Sequence, residues 1–414
     1  MGVSRAGLFK KFGVELEYML VREDTLDVAP IADRILQRKA GTITNEVERG
    51  IMAWSNELAL HVIEIKNSGP VSGLPALVGK FQKEVEEISR LAAEQGTVLL
   101  PTAMHPWMDP HTETQLWPHG NKAIYNTYNR IFNCQGHGWS NVQSTHLNLG
   151  FATDEEFGRL HAAIRVLLPI LPAIAASSPA TDGALTGRLD SRLEYYRNNQ
   201  KRIPFITGRV IPEPVFSEAE YERVIYEPLL RDIAPHDPDG VLEAEWLNSR
   251  GAIARFDRNA IEIRVLDIQE CPLADLSLSV LISAVLKRLT EEHWSGLEEQ
   301  KAADTGPLAD IFVKAISNGE EAVINDHRYL SLFGRGGKSA MSAGKLWQEL
   351  ASDCAPELAE AGHGIQESLE IILTQGPLSR RIIRALGENP ERQRFREVYR
   401  ELGKCLVQGR LFLV

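Results

Sequence analysis

The sequence predicts an α+β fold, in which a curved, mainly antiparallel sheet carries helices on one face and is followed by a helical C-terminal region. Several stretches alternate charged and aliphatic residues with a period of two, which is typical of strands with one polar face. No Gly-rich strand–helix turn supports a doubly wound parallel sheet. From Leu273 onward, the pattern becomes mostly helical.

The strand and helix patterns alternate along the first two thirds of the chain. Strands are predicted within residues 11–22, 51–66, 144–151 and 251–267. Residues 74–95 repeat apolar side chains at three- and four-residue steps, which predicts a helix. Residues 154–176 predict a second long helix, which is capped by Thr153 or Asp154 and bent at its two prolines.

The C-terminal third differs from the rest of the chain. Residues 273–294 predict an amphipathic helix, and residues 300–414 look mostly helical, with a Gly-rich interruption at 334–344. The tract GRGGKS at 334–339 suggests a phosphate-binding P-loop, but that motif requires glycine at the position of Leu332. We therefore interpret the tract as a flexible loop.

The composition disfavours several classes of partner. The 414 residues include 45 Lys and Arg against 56 Asp and Glu, a net charge of −11, which disfavours nucleic acid and anionic membranes. The most apolar run, 166–176, contains two prolines and is too short to span a bilayer. The four cysteines form no CxxC pair and no signal peptide is recognisable, so we expect a cytoplasmic protein.

Charged or polar groups occur two residues apart in four predicted strands, with an aliphatic residue between them. These pairs are Glu15 and Glu17, Glu64 and Lys66, His146 and Asn148, and Glu262 and Arg264. Each pair must share one strand face, and burying such groups unpaired is costly. If the four strands belong to one sheet, its polar face is a floor of carboxylates, one histidine and two cations, which suits divalent metals and phosphates.

Three of the pairs also have a purely structural interpretation. Glu15 and Glu17 could face solvent on an exposed strand, and His146 could be a hydrogen-bonded core residue. Glu262 and Arg264 could form a structural ion pair, although the neighbouring arginines favour binding of a phosphate or carboxylate.

Two further features flank this set. Glu57 lies seven residues before Glu64, an odd spacing that places the two on opposite faces of a straight strand. It reaches the same site only from a bulge or a turn, and it could instead be a surface acid. Residues 186–209 carry five arginines and suit an anionic substrate, although a solvated helix face explains most of them individually.

Five stretches together resemble the carboxylate–amine ligase branch of the glutamate–cysteine ligase superfamily, type 2. They occur in the family's order at residues 12–18, 57–66, 144–150, 178–192 and 258–267. The resemblance implies a glutamine-synthetase-like fold, shared with guanidino kinases, whose concave sheet holds two or three Mg²⁺ (or Mn²⁺) ions beside ATP. We expect this catalytic domain at residues 1–298, with a mostly helical region, 299–414, packed on it, although the resemblance itself is silent on residues 300–414. The one departure is Glu57, which is aspartate in some members.

By this resemblance, six residues fall on metal-binding positions: Glu15, Glu17, Glu57, Glu64, His146 and Glu262. Arg264 falls on the position that contacts ATP phosphates and Arg192 on the one that holds the carboxylate substrate, and both are candidate catalytic residues. The remaining binding positions are expected at Arg188 and Asn148 for the substrate and at Lys66 and Asn259 for ATP.

The resemblance implies an ATP-dependent ligase that joins the γ-carboxylate of glutamate to an amine, cysteine first among them, through an acyl phosphate. Such chemistry needs charge neutralisation but no covalent nucleophile, in agreement with the absence of a nucleophile motif. The alternatives are a guanidino-kinase-like phosphotransferase, a metal-dependent hydrolase and a catalytically silent metal- or nucleotide-binding protein. The expected partners are glutamate, an amine and ATP, and exposed sheet edges suggest a homodimer.

Overall fold

The computed structural model describes residues 6–414. The strands in this part of the chain are β1 (Phe12–Arg22), β2 (Glu46–Arg49), β3 (Met52–Asn56), β4 (Val62–Asn67), β5 (Thr97–Leu100), β6 (Ser144–Gly150), β7 (Ala180–Thr181), β8 (Ala184–Leu185), β9 (Ala252–Arg255), β10 (Ala260–Asp267), β11 (Val323–Ile324) and β12 (Met341–Ser342). Seven of them form the path β2-β3-β4-β1-β6-β10-β9, and β5 completes the sheet beside β1. Every pairing in the sheet is antiparallel, so the predicted antiparallel sheet is confirmed.

Helices supply most of the remaining regular structure. They are α1 (Ala32–Ala40), α2 (Val78–Ala93), α3 (Pro110–Glu113), α4 (Lys122–Phe132), α5 (His137–Ser140), α6 (Asp154–Leu167), α7 (Pro172–Ala175), α8 (Ser191–Tyr196), α9 (Glu218–Tyr221), α10 (Glu227–Ile233), α11 (Ala244–Leu247), α12 (Pro272–Thr290), α13 (Leu297–Lys301), α14 (Thr305–Asn318), α15 (His327–Ser331), α16 (Ala343–Asp353), α17 (Ala355–Ala361), α18 (His363–Gln375), α19 (Leu378–Leu386) and α20 (Arg392–Gln408). Thr153 caps α6 by accepting a hydrogen bond from the backbone N–H of Glu156. The predicted bend follows, since a short 3₁₀ turn with Pro169 separates α6 from α7.

The strand register gathers the polar side chains on one face of the sheet. Glu15 pairs with Lys66 of β4 on one side and with His146 of β6 on the other, and Glu17 lies opposite Glu64. Directly opposed residues point to the same face. The intervening residues lie on the other face and are buried: Val14, Leu16, Ile63, Ile65, Leu147, Ile261 and Ile263.

A β-bulge in β10 changes which of its residues share the polar face. Ile263 pairs with Leu147, but the next paired residue is Leu266, opposite Thr145. Between these two pairs the chain advances three residues in β10 but only two in β6. After the bulge, the side chains of β10 therefore alternate between the two faces in the opposite sense. Asp267, which a regular strand would turn to the apolar face with Ile263, lies on the polar face.

The apolar face of the sheet is covered by helices. α2 and α6 contact the sheet, and α12 packs against both of them. Nearly every residue of α12 is buried, because α17 and α18 cover its other side. The prediction of a helix there is confirmed, but its amphipathic character is wrong: a helix that is apolar all round belongs in the interior.

The C-terminal region shares this core. Its main apolar cluster contains residues from both sides of position 298, such as Leu286 and Leu308. The division at 298 stays a prediction. Residues 332–340 form a loop, as interpreted from the sequence, with β12 and α16 following. Among the residues described, no helix has the length and apolarity needed to cross a membrane.

Candidate active site

The polar face of the sheet is the floor of a cavity of about 430 Å³. Helices and loops on the other side of the cavity supply its walls. α4, α5, α8 and α11 contribute an aromatic wall, which we define as Tyr125, Tyr128, Trp139, Tyr196 and Trp246. The cavity therefore has a charged floor and a partly apolar wall.

Two groups of side chains on the floor have the composition of metal sites. Glu15, His146 and Glu262 form one group, and Glu17, Glu64 and His146 form the other. In each group the potential ligand atoms lie within 4.8 Å of one another. His146 belongs to both because it stands in the middle strand of the floor, between β1 and β10.

His146 has a carboxylate on each side of its ring. Its Nδ1 lies 2.9 Å from Glu15 Oε2 and 3.7 Å from Glu262 Oε1, and its Nε2 lies 3.8 Å from Glu17 Oε1. Burial alone would lower the pKa of His146, but the hydrogen bond with Glu15 and the charges of Glu17 and Glu262 raise it to about 9. The ring thus lies in a strongly negative field.

Glu57 and Glu64 add further negative charge at the same end of the floor. Glu57 lies in the connection between β3 and β4, where its side chain lines the cavity, so the expected approach from a turn is observed. Burial, and then the charges of Glu17 and Glu64, raise the pKa of Glu57 well above its usual range. Burial and the charge of Glu15 raise the pKa of Glu64, although Lys66 lies only 3.0 Å away. Burial and the repulsion between neighbouring acids thus disfavour the ionised forms of both carboxyl groups.

Cationic side chains lie along the floor beside the acids. Lys66 Nζ is 3.0 Å from carboxylate oxygens of both Glu46 and Glu64. Arg264 Nη2 is 2.9 Å from Glu262 Oε1, and Arg255 Nη1 is 3.5 Å from Glu262 Oε2. These cations line the cavity and could also contact a bound anion.

Arg192 is a buried cation in the cavity lining. It lies in the first turn of α8, which begins after Asp190, whose side chain accepts a hydrogen bond from the Leu193 N–H at 2.8 Å. Its side chain is 2% exposed, and its Nε donates to Asp267. Its Nη2 has no hydrogen-bond partner among the described residues.

Comparison with known proteins assigns the chain to a family. The model of the family described as "Glutamate-cysteine ligase family 2 (GCS2)" matches residues 11–396, nearly the whole chain. The chain belongs to glutamate-cysteine ligase family 2. This result confirms the resemblance that the five sequence stretches indicate.

Relatives of this family 2 chain span a range of similarity. An uncharacterized protein of Archaeoglobus fulgidus is 40% identical over 283 residues, which cover 68% of this chain and 75% of that protein. A protein of Ruegeria pomeroyi named "Putative glutamate--cysteine ligase 2" is 25% identical over 284 residues, covering 67% of this chain and 65% of its own length.

Solved structures show the same fold as the family 2 chain. The glutamate–cysteine ligase of Francisella tularensis in complex with AMP aligns with 99% of this chain and 91% of its own, at a TM-score of 0.60 and 12% identity. A bifunctional glutathione synthetase of Pasteurella multocida aligns with 96% of this chain and 52% of its own, at a TM-score of 0.58 and 14% identity. At these identities the likeness concerns the fold.

Most residues that the sequence predicts for the site line the cavity of this family 2 chain. The predicted residues that line the cavity are Glu15, Glu17, Glu57, Glu64, Lys66, His146, Arg192, Glu262 and Arg264. Asn148 supports the floor, because its Nδ2 donates to Glu15 Oε1 at 3.2 Å. Its expected contact with substrate stays a prediction.

Two predicted binding residues of the family 2 chain lie away from the cavity lining. Arg188 is exposed in the loop between β8 and α8, before the chain turns inward at Asp190. Asn259 occupies the turn between β9 and β10 with a φ of 51°, and its carbonyl accepts a hydrogen bond from Phe151 N–H. Substrate binding by Arg188 and ATP binding by Asn259 stay predictions.

Sequence reasoning did not identify Tyr125, Tyr128, Tyr196, Trp246 or Asp267 as parts of the site. The aromatic wall comes from four helices outside the strands, so the alternation along the strands does not signal it. Asp267 follows Arg264 by three residues. An odd step along a regular strand places a side chain on the opposite face, which here is the apolar one. Only the bulge in β10 brings it to the site.

Proposed function

We propose that this chain is an ATP-dependent carboxylate–amine ligase that forms γ-glutamyl amides, with L-cysteine as the first amine to test. The convergence of Glu15, Glu17, Glu64, His146 and Glu262 in one cavity carries the proposal. Family membership supports the ligase class, and the AMP in the Francisella tularensis structure supports a nucleotide substrate. A cytoplasmic location and a homodimer remain predictions.

The donor set on the floor fits hard divalent cations. Carboxylate oxygens are the preferred ligands of Mg²⁺, and burial, followed by the charges of neighbouring acids, raises the pKa values of Glu57 and Glu64, so a bound cation would favour their ionised forms. Two or three Mg²⁺ or Mn²⁺ ions would be held by the set Glu15, Glu17, Glu57, Glu64, His146 and Glu262. Bound ions supply charge neutralisation for the phosphates of ATP.

The cations of the chain have separate tasks in this proposal. Arg264 and Lys66 lie beside the acidic floor and bind phosphate oxygens of ATP. Arg192 offers its unpaired Nη2 to a carboxylate of the amino-acid substrate. The γ-carboxylate then takes the γ-phosphoryl group from ATP, and ADP leaves.

The second step completes the amide bond. The amine nitrogen attacks the acyl carbon, the phosphate leaves with the bonding electrons, and the nitrogen loses a proton. The chain supplies orientation and charge in this proposal, and no side chain becomes covalently attached to the substrate.

Product analysis tests the proposal directly. We expect purified protein with L-glutamate, MgATP and a panel of amines to release phosphate only when both glutamate and an amine are present. Mass spectrometry should then detect the matching γ-glutamyl amide. Glu17→Gln should abolish the product, whereas Glu23→Gln, which changes an exposed acid just beyond β1, should retain it.

Other outcomes identify the alternatives. Phosphate release that does not depend on the amine contradicts ligation. A phosphorylated guanidine product would indicate a kinase, and hydrolysis without nucleotide would indicate a metal-dependent hydrolase.

A further inference from the structure

Both carboxylate oxygens of the buried Asp267 accept hydrogen bonds. It is 0% exposed, and its Oδ1 accepts from Nε of Arg192. Its Oδ2 accepts from the backbone N–H of Ser177 at 2.7 Å and from the hydroxyl of Ser178 at 2.8 Å. Charge-assisted hydrogen bonds of this kind hold both partners in a narrow range of orientations.

The contacts of Arg192 leave one of its nitrogens available. Nε is occupied by Asp267, and Nη1 lies 3.4 Å from the carbonyl oxygen of Arg264. Nη2 has no partner among the described residues, although the side chain is buried in the lining of the cavity. A buried guanidinium N–H without an acceptor is costly, so a ligand atom is expected to satisfy it.

The backbone reinforces this arrangement from the other side. The backbone N–H of Arg192 donates to the Ser178 hydroxyl at 3.1 Å, and that hydroxyl in turn donates to Asp267. Asp267 reaches this network because the bulge in β10 turns it to the polar face. Asp267 of β10 is thus hydrogen-bonded to the loop after α7 and to the first turn of α8.

We infer that Asp267 is a positioning residue, which fixes the guanidinium of Arg192 in the lining of the cavity, where its Nη2 receives a carboxylate of the substrate. This inference rests on the proposed function. Asp267 itself has no contact with substrate in this arrangement. The bulge in β10 is then part of the binding site, because a regular strand would remove the carboxylate from the polar face.

Asp267→Asn tests the inference with little change in shape. An amide carries no charge, and it cannot accept from both Arg192 Nε and the Ser177 N–H, because one of its two polar atoms is a donor. We expect the KM for L-glutamate to rise about 10- to 100-fold, as for the loss of one charge-assisted hydrogen bond. The KM for ATP and kcat should change by less than about threefold, since only ground-state binding is weakened.

Glu270→Gln is the matched control. Glu270 forms an ion pair with Arg381 that is equally buried, but neither residue lines the cavity. This variant should lose stability without the selective change in the KM for glutamate. If Asp267→Asn is poorly folded, Ser178→Ala removes one of the donors to Asp267 and should shift the same KM in the same direction by a smaller factor.

Equal effects of Asp267→Asn and Glu270→Gln on both KM values would overturn the inference. An NMR measurement separates it from the proposed function. The Nε–H signal of Arg192, assigned with Arg192→Lys, should exchange slowly with water in the wild type and in Glu270→Gln, but rapidly in Asp267→Asn. Absence of ligation by the wild type removes the proposed function alone, whereas rapid exchange of this signal in the wild type removes the positioning role.

Discussion

At the scale of single residues, His146 joins the two acidic groups of the floor. One ring nitrogen lies beside Glu15 and Glu262, and the other lies nearer to Glu17. Such a position is open to only one residue of the middle strand, because its neighbours Thr145 and Leu147 point to the opposite face. Loss of this ring should therefore affect both groups together.

His146→Ala should weaken binding of Mn²⁺ by at least about tenfold and abolish ligation, because it removes a ligand atom from both groups. Calorimetric titration with Mn²⁺ measures the affinity. His119→Ala is the control, since His119 also lies 3.0 Å from a carboxylate, that of Asp33, but does not line the cavity. Equal Mn²⁺ affinity in wild type and His146→Ala would contradict the assignment of the floor as a metal site.

At the scale of secondary-structure elements, the site depends on how the short helix α5 fits against the segment after α8. Asn199 donates from its side chain to the backbone carbonyl of Gly138, and both residues line the cavity beside Trp139. A Cβ atom on Gly138 would overlap the side chain of Asn199. With Asn199 in this conformation, position 138 must be glycine, and the contact lies beside Trp139 of the aromatic wall.

Gly138→Ala should displace Asn199 and Trp139 and reduce kcat/KM by roughly tenfold, with a loss of about 1–3 kcal/mol in the free energy of unfolding from overpacking. Gly136→Ala is the matched control two residues earlier, where nothing lies within 4 Å of the added atom. Steady-state kinetics and urea denaturation of the two variants provide the comparison. Wild-type kinetics in Gly138→Ala would show that this contact does not shape the site.

At the scale of the whole molecule, the core buries several ionisable groups away from the cavity. His161 of α6 is one of them: its Nδ1 lies 2.7 Å from the carbonyl oxygen of Val215, and its Nε2 has no partner among the described residues. Burial, together with the charges of Arg165 and Arg250, lowers the pKa of His161 to about 3. Folding therefore requires this ring to stay neutral.

The stability of the protein should consequently decrease in mild acid. Below the unfolded-state pKa of about 6.5, the unfolded chain binds a proton that folded His161 excludes, so stability falls as the pH drops from 6.5 towards 3. At pH 5 the loss from this residue is about 2 kcal/mol. Urea denaturation at pH 7 and pH 5 should show a smaller loss in His161→Gln than in the wild type, and equal losses would contradict the buried neutral ring.

Much of the fold and of the floor could be predicted because both follow from local patterns. The alternation around Glu15, Glu64, His146 and Glu262 is a property of a few consecutive residues, and it predicts one charged face for each strand. The sequence pattern is not sufficient where the backbone departs from a regular strand or helix. The bulge in β10 places Asp267 on the polar face, which the regular alternation does not predict. Arg188 lies in the exposed loop before α8, outside the cavity lining.

Residue order alone thus specifies the strands, their polar faces and the kind of chemistry that these faces can perform, because backbone periodicity and side-chain charge are local properties. Long-range contacts specify which strands are neighbours, how the aromatic wall lies beside the floor and which nitrogens of Arg192 are hydrogen-bonded. Those features depend on register, packing and one extra residue in a strand, and their energies arise between residues that are far apart in the chain.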